Sequence, residues 1–303
     1  MTWTTSDMGK LDDITAVVTG PSRGGIGYDT ALELARAGAR VVLAGRSTGK
    51  LDAAAAGIRA EVAGARLERV ILDLSSFASV RSAAAEITAL GPIDRLINNA
   101  GIMATPYGRT VDGLEQQLGT NHFGPFLLTG LLLPSLVASG SGRVVTVASI
   151  GHKLARTAPL GDPKSEDGYH RWPTYFRSKL ANLLFTYELD RRLRAAGLSV
   201  TALAAHPGFV ASHLINNGNS FGPLSRIASV AYPLVSQGPA EGALPSLMAA
   251  TADLPGGTYV GPSGLAEMQG APHVVASTRL SHDTDAQRRL WEISERTTGI
   301  SYP

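Results

Sequence analysis

The sequence predicts an α/β protein: a single-domain, Rossmann-type doubly wound fold with about seven parallel strands and helices on both faces. Short β-branched runs alternate with Ala- and Leu-rich stretches of helical length. The strand candidates are apolar throughout, as is typical of parallel strands that are covered on both faces. With 303 residues, of which 44% are hydrophobic, the chain can bury a large core.

The first half of the chain supplies four predicted strands. The runs ITAVVTG, RVVLAGR, RVILDLS and RLINNAG are rich in Val and Ile, and each ends in a small or polar segment. They span 14–20, 40–46, 69–75 and 95–101. Ala-rich stretches between them predict helices at 28–38, 50–63 and 76–90.

The second half continues the alternation. Its predicted helices are 111–139, 173–197 and 239–250, and its predicted strands are 143–149, 198–208 and 257–262. Right-handed crossovers bring the strand ends VTG, AGR, DLS, NNAG, VAS and HPG to one carboxyl edge of the sheet, where ligands bind. No internal repeat or low-complexity linker interrupts the chain, which indicates one domain over 1–303.

Composition excludes several classes of function. A net charge of +2 from scattered Lys and Arg argues against a nucleic-acid surface, which needs basic residues on one face. Without cysteine the chain has no disulfide, no thiolate nucleophile and no Cys-based metal site. The seven histidines lack paired spacing with carboxylates, so no metal site is expected.

One long apolar stretch raises the question of a membrane span. Residues 123–142 carry no charge, but glycines and prolines interrupt them and their last residues are small and polar, which favours a buried helix. The N-terminus MTWTTSDMGKLDD has no apolar region of the signal-peptide type. A cytoplasmic protein without a membrane span is therefore expected.

The stretch TGPSRGGIG (19–27) joins the first strand to the first helix. Glycines there let backbone N–H groups and the helix N-terminus approach a pyrophosphate, although an ordinary strand-to-helix turn remains the alternative. The next strand end, RVVLAGRSTGKL (40–51), lacks the acid that would hold the ribose of NAD. Arg46, with Lys50 and Arg23 nearby, predicts instead a partner for the 2′-phosphate of NADP, unless Arg46 merely caps the strand in solvent.

A third group of residues carries acid–base chemistry. Tyr175 and Lys179 in YFRSKLANLLF are four positions apart, which puts them on one helix face. The pKa of tyrosine is ordinarily ~10, and a neighbouring ammonium favours the phenolate. Such a pair is common by chance. However, Ser149 ends the fifth strand at the same edge of the sheet, and Asn121 lies in the preceding helix.

Taken together, TG…GIG, NNAG, NHFGPFLLT, VVTVAS, YFRSK and HPG follow the order and approximate spacing of the short-chain dehydrogenase/reductase superfamily. The sequence resembles that superfamily over nearly its whole length. With its lengthened gap between Ser149 and Tyr175 and the motifs NHFGPFLLT and SKLANLLFTYEL, the sequence is most similar to the branch that holds retinol dehydrogenases, WW-domain oxidoreductases and protochlorophyllide reductases.

The resemblance implies four catalytic residues. Tyr175 would exchange a proton with the carbonyl or alcohol oxygen of the substrate, which Ser149 would hold, while hydride moves at the nicotinamide. Lys179 would hydrogen-bond the nicotinamide ribose and lower the pKa of Tyr175. Asn121 would position a water that links Lys179 to solvent.

The resemblance also implies a set of cofactor contacts, with NADP(H) preferred over NAD(H). Asp73 would contact adenine, and the NNAG residues would flank the adenosine ribose. Pro207, Gly208 and Val210 would bracket the carboxamide of the nicotinamide. The full set is Gly20, Ser22, Arg23, Gly25, Ile26, Gly27, Arg46, Asp73, Leu74, Asn99, Ala100, Gly101, Tyr175, Lys179, Pro207, Gly208, Val210 and Ser212.

Two positions depart from the pattern of the family. The glycine loop has one residue more than usual between its first and second glycines, so Gly24 is expected to take a backbone conformation that other residues disfavour. A threonine is common after the carboxamide contact, and Ser212 supplies the hydroxyl here.

Two predicted loops, 150–174 and 212–237, should determine the substrate. The second is rich in Leu, Ile, Val, Phe and Tyr, which indicates either an apolar substrate or a small helical cap. Retinoid, steroid, aromatic polyketide and lipid aldehyde substrates all stay open. Protochlorophyllide is disfavoured, since relatives that act on it use a cysteine.

Other functions on the same fold are a non-catalytic dinucleotide sensor, an interaction protein and a sugar-nucleotide epimerase. Retention of tyrosine and lysine argues against the sensor, and the short C-terminal part argues against the epimerase. The apolar helices 123–137 and 180–189 would form core or the homodimer interface that relatives often use.

The C-terminal extension 263–303 should end in a helix that begins at Asp283 or Thr284, closes at Gly299 and docks through Leu290, Trp291 and Ile293.

Overall fold

In the computed structural model, which describes residues 2–164, 167–210 and 236–303, eight strands form one sheet. The strands are β1 (Thr15–Thr19), β2 (Arg40–Gly45), β3 (Leu67–Ile71), β4 (Arg95–Asn98), β5 (Gly142–Val147), β6 (Val200–Ala205), β7 (Tyr259–Pro262) and β8 (Pro272–Val274). Their order in the sheet is β3-β2-β1-β4-β5-β6-β7-β8. The strand order reverses beside β1, which pairs with both β2 and β4, and this reversal opens a crevice at the carboxyl ends of the strands.

Seven of these strands are parallel, as the sequence predicts. The eighth, β8, runs antiparallel to β7, with Val274 opposite Val260 and Pro272 opposite Pro262. Its three residues lie within the extension 263–303, for which the sequence predicts only a helix. A proline is tolerated in β8 because the strand lies at the edge of the sheet.

The helices are α1 (Ile26–Arg36), α2 (Thr48–Glu61), α3 (Phe77–Thr88), α4 (Gln116–Leu118), α5 (Gly124–Ala138), α6 (Arg171–Ala195), α7 (Pro239–Thr251) and α8 (Thr284–Thr298). A π-helical segment, Gly119–Phe123, joins α4 to α5. Alternate residues of each strand reach opposite faces of the sheet. Ala16 and Val18 of β1 belong to the core against α1 and α7, whereas Val17 belongs to the core against α3 and α5.

The stretch 116–138 is the one helical stretch of the described residues that is long and apolar enough to cross a membrane. In this fold, 78% of its most apolar window is buried inside the protein. The burial agrees with the core helix that the sequence favours.

The helix α8 covers α5 and α6. Asp283 caps it by accepting hydrogen bonds from the N–H groups of Asp285 and Ala286, both at 3.0 Å, and Gly299 ends it in the left-handed conformation. Trp291 is 1% exposed, and its ring stacks on Phe185 at a centroid distance of 5.9 Å. Leu290 is buried and Ile293 partly buried, so α8 docks through the predicted residues.

Candidate active site

The glycine loop leaves β1 and enters α1, as predicted. Gly20 and Gly24 have φ of 69° and 74°, in the left-handed region that favours glycine, so Gly24 takes the predicted conformation. Gly25 is the N-cap residue of α1 and offers no side chain to the first helical turn. A Cβ on Gly27 would lie 2.7 Å from the carbonyl oxygen of Gly20 and would overlap Nδ2 of Asn99. Gly27 is therefore packed tightly against the loop backbone and the Asn99 side chain, which follows β4.

These features fit a pyrophosphate. An uncapped helix N-terminus leaves backbone N–H groups for an anion, and the helix dipole adds to their attraction. The loop borders a cleft of about 340 Å³ at the carboxyl edge of the sheet. The predicted contact residues that line this cleft are Gly20, Ser22, Arg23, Gly25, Ile26, Gly27, Arg46, Asp73, Leu74, Asn99, Ala100, Gly101, Tyr175, Lys179 and Pro207.

One end of the cleft is basic. Arg23, Arg46 and Lys50 all line it and all three are exposed. In the described part of the chain, no acidic side chain pairs with Arg46 or Lys50. Asp73 also lines the cleft, and its Oδ1 accepts hydrogen bonds from the Ser75 N–H at 2.9 Å and the Ser75 hydroxyl at 2.7 Å. The cleft thus offers cations beside one anchored carboxylate.

Thr19 organises the junction of β1 and β4, and the sequence prediction missed it. Its fully buried hydroxyl accepts hydrogen bonds from the N–H groups of Asn99 at 3.0 Å and Ala100 at 2.9 Å. The Asn99 amide donates to the carbonyl oxygen of Thr19 at 2.8 Å. The threonine of VTG, a polar residue at the end of an apolar strand, was the available signal.

Tyr175 and Lys179 lie on one face of α6 and reach the cleft together. The Nζ atom of Lys179 lies 6.0 Å from the centre of the Tyr175 ring and donates a hydrogen bond to the carbonyl oxygen of Val147 at 2.9 Å. Burial lowers the pKa of Lys179 to about 8. This ammonium can therefore lose its proton close to neutral pH.

Ser149 follows β5 and faces Tyr175. Its hydroxyl accepts a hydrogen bond from the Gly151 N–H at 3.0 Å. Burial raises the pKa of Tyr175, and a hydrogen bond with Ser149 opposes the rise. The sequence predicts a pKa lowered by Lys179, whereas in the structure desolvation dominates. The reason is that Tyr175 is itself buried, which the helical spacing alone does not reveal.

Asn121 lies in the π-helical segment and is 1% exposed. Its side chain accepts from the Ile102 N–H at 2.8 Å and donates to the Ile102 carbonyl at 2.9 Å and to the Ser178 hydroxyl at 3.0 Å. It therefore ties the segment after β4 to α6, the helix that carries Tyr175 and Lys179. Pro125, four residues later, has no N–H for the Asn121 carbonyl, which explains why the regular α-helical pattern is interrupted here.

The segment after β6 approaches the same edge. Pro207 lines the cleft, whereas Gly208 and Val210 do not. Gly208 has a φ of 69°, and Val210 forms a parallel bridge with Gln237. Ser212 falls in 211–235, outside the described residues, as does nearly all of the predicted substrate loop 212–237.

Two aromatic side chains lie close to Tyr175. Trp172, one turn earlier on α6, lies edge-on to Tyr175 at a ring distance of 6.3 Å. Phe176 lies 5.9 Å from Trp172, and both rings are partly exposed.

Of the other predicted loop, 150–174, residues Ile150–Leu154 form a 3₁₀ turn, and 160–164 border a second cavity of about 800 Å³ against α8. Among the described residues, no group of three or more His, Asp and Glu could hold a metal ion.

Comparison with known proteins agrees with this architecture. A model of the short chain dehydrogenase family matches residues 14–221. Retinol dehydrogenase 12 from Homo sapiens is 40% identical over 299 residues, which cover 97% of this chain and 89% of the relative. Polyprenol dehydrogenase from Mus musculus is 40% identical over 293 residues, which cover 94% of this chain and 83% of the relative.

A solved structure shows the same fold. The crystal structure of an uncharacterised protein from Mycobacterium Paratuberculosis matches with a TM-score of 0.82 and 40% identity, and the match covers 100% of both chains. Members of the matched family bind nicotinamide dinucleotides and act on alcohol or carbonyl groups. The chain is a short-chain dehydrogenase/reductase, and it belongs to the branch of that family that contains the retinol dehydrogenases.

Proposed function

We propose that the protein is an NADP(H)-dependent oxidoreductase that acts on the carbonyl or alcohol group of an apolar small molecule, with Tyr175 as acid and base. One observation carries this proposal: Tyr175 and Lys179 open into the same cleft as the glycine loop and Arg46. Such a cleft can hold a dinucleotide with its reactive end beside the proton donor.

The chemistry follows from the protonation states. When bound, the nicotinamide supplies or accepts the hydride. Tyr175 is a phenol at neutral pH, since the ordinary pKa of tyrosine is ~10 and burial raises the pKa further, so it can donate a proton to the oxygen of a substrate carbonyl. The hydroxyl of Ser149 hydrogen-bonds to that oxygen, and the ammonium of Lys179 stabilises the phenolate that remains after proton transfer.

The basic end of the cleft supports a preference for NADP(H). A 2′-phosphate would meet the side chains of Arg23, Arg46 and Lys50, and a guanidinium can bind phosphate through two hydrogen bonds. The double variant Arg46→Ala/Lys50→Ala should raise the KM for NADPH by about 100-fold, since charge-assisted hydrogen bonds contribute about 1.5–3 kcal/mol each, and should leave the KM for NADH within about twofold. Arg59→Ala is the matched control, because Arg59 is also exposed on α2 but does not line the cleft.

Aromatic side chains support an apolar substrate. Trp172 and Phe176 present partly exposed rings next to Tyr175. The names of two relatives, retinol dehydrogenase 12 and polyprenol dehydrogenase, denote apolar alcohols. Trp172→Ala should lower kcat/KM about tenfold for a flat conjugated aldehyde and less than threefold for a flexible alkyl aldehyde of the same length, because a stacked ring pair contributes about 0.5–1.5 kcal/mol.

The decisive experiment follows NADPH and NADH consumption with a panel of apolar aldehydes, diketones and quinones, with Tyr175→Phe alongside. Oxidation of NADPH by the wild-type protein but not by Tyr175→Phe would support the proposal. A protein that binds NADPH and never consumes it, across the panel, would favour the non-catalytic sensor or interaction protein. Interconversion of sugar nucleotides without net NADPH consumption would favour the epimerase.

A further inference from the structure

Three charged or titratable side chains are bonded in series between the segment after β5 and the segment after β6. Lys153 Nζ donates to Glu267 Oε1 at 2.7 Å, and His206 Nε2 lies 3.1 Å from Glu267 Oε2. His206 is fully buried at the end of β6, and Lys153 belongs to the 3₁₀ turn that begins beside Ser149. The series links two parts of the site that are about fifty residues apart in sequence.

The hydrogen bonds define the tautomer of His206. Its Nδ1 accepts from the Gly208 N–H at 3.2 Å, so the ring proton is on Nε2 and is donated to Glu267. Burial lowers the pKa of His206, which keeps the ring neutral. The hydrogen bonds from His206 and Lys153 hold the pKa of Glu267 at about 2, so the carboxylate is charged.

The turn that carries Glu267 is strained. Ala266 and Glu267 have φ of 51° and 57°, a conformation that costs non-glycine residues of order 1 kcal/mol each. The bonds to His206 and Lys153 oppose that cost. Strain of this kind persists where the surrounding structure fixes the position of a segment.

The same turn supports the segment after β6. The carbonyl oxygen of Met268 accepts from the Phe209 N–H at 2.7 Å, and a Cβ on Gly208 would overlap that carbonyl. Gln237 Nε2 donates to the Pro207 carbonyl at 2.7 Å, and its Oε1 accepts from the Gly270 N–H at 3.1 Å. These contacts tie the Glu267 turn to the backbone of residues 207–209.

The other end of the series reaches the catalytic serine. His152, next to Lys153, donates from Nδ1 to the carbonyl oxygen of Ser149 at 2.7 Å. The series Lys153–Glu267–His206 is thus anchored both beside Ser149 and after β6. None of its three side chains has a role in the proton transfer described above.

We propose that Glu267 is a positioning residue, which through His206 and Lys153 fixes the Pro207–Gly208 segment relative to Ser149 and so holds the nicotinamide half of the cofactor. The inference rests on the proposed function. It predicts that loss of Glu267 weakens binding of the nicotinamide half and spares the adenosine half, which lies at the basic end of the cleft.

Calorimetry on the full chain tests this prediction with two ligands, NADPH and adenosine 2′,5′-bisphosphate, which has the 2′-phosphate but no nicotinamide. The variant is Glu267→Gln. Its amide cannot accept from both His206 and Lys153, so at least one link breaks. Leu265→Ala is the matched control, because Leu265 lies in the same turn and is 86% exposed.

In Glu267→Gln, the Kd for NADPH should rise about tenfold, as expected for one lost hydrogen bond to a charged group, and the Kd for the bisphosphate should stay within about twofold. Lys153→Met should act in the same direction, and Leu265→Ala should change neither Kd. An equal loss for both ligands, or an unchanged Kd for NADPH, would overturn the inference while the proposed function stands. A wild-type protein that binds neither ligand would refute the proposed function and this inference with it.

Discussion

Replacing the buried Lys179 should abolish catalysis and stabilise the fold. Lys179 is 6% exposed, and its pKa falls from 10.5 to about 8 because burial disfavours the ammonium. In the unfolded chain, where the lysine is hydrated, the proton is bound more tightly. Holding the ammonium inside the protein at pH 7 therefore costs free energy that Lys179→Met would recover.

The magnitude follows from the shift. A fall from 10.5 to about 8 corresponds to about 3 kcal/mol at pH 7, where both states of the wild type are protonated. The variant loses the hydrogen bond to Val147, worth about 1 kcal/mol, but the Val147 carbonyl keeps a second donor in Asn182 Nδ2 at 3.2 Å. The net gain is about 2 kcal/mol, or about 3 °C in Tm for a chain of this size.

The pH dependence of this gain in stability distinguishes the desolvation of Lys179 from a general effect of the substitution on packing. Between pH 8 and 10.5 the unfolded wild type binds more protons than the folded protein, so the stability of the wild type rises with pH through this window. The advantage of Lys179→Met should therefore be constant below pH 8, fall by about 1.4 kcal/mol per pH unit above it and vanish near about pH 9.5. Thermal unfolding from pH 6 to pH 10.5 measures it, with the exposed Lys10→Met as control. A variant less stable than the wild type at pH 7, or a difference in stability that does not change with pH, would refute the desolvation cost assigned to Lys179.

Three further outcomes are expected. Trp291→Ala should lower the free energy of unfolding by about 3–5 kcal/mol in urea titrations, because the Trp291 ring is buried. Trp291→Phe should lower it by clearly less. Equal losses in the two variants would contradict the expected contribution of the ring. Gly27→Ala should reduce NADPH affinity at least about 100-fold, since its Cβ would lie 2.7 Å from the backbone oxygen of Gly20 and the loop would have to shift. Gly49→Ala, with open space around it in α2, should stabilise the protein by about 0.5–1 kcal/mol. The kcat/KM for carbonyl reduction should fall above about pH 8 as Lys179 loses its proton, and a profile that is flat to pH 10 would disprove that.

Local pattern predicted most of the sheet and much of the site. The apolar runs gave the seven parallel strands, because strands covered on both faces need apolar residues at every position. The four-residue spacing of Tyr175 and Lys179 requires only that α6 be helical. Since all parallel strands end at one edge, the strand ends VTG, NNAG and VAS were expected to meet there.

Other parts of the site depend on residues far apart in the chain. The pKa of Lys179 reflects how deeply α6 packs against β5, and no spacing in the sequence encodes that depth. The antiparallel strand β8 has only three residues, too few for a period to show, and forms because the edge of β7 accepts it. The carboxylate of Glu267 meets His206 across 61 positions and Lys153 across 114.

The sequence by itself determined the fold class, the glycine loop and the placement of Tyr175 and Lys179 on one helix face, because these depend on repeats and spacings within one or two elements. Only the tertiary structure decided which of those groups are desolvated, how the π-helical Asn121 joins two segments, and where Glu267 lies. Burial and ion pairing are sums over neighbours from distant parts of the chain, so they exist only once the sheet has brought those neighbours together.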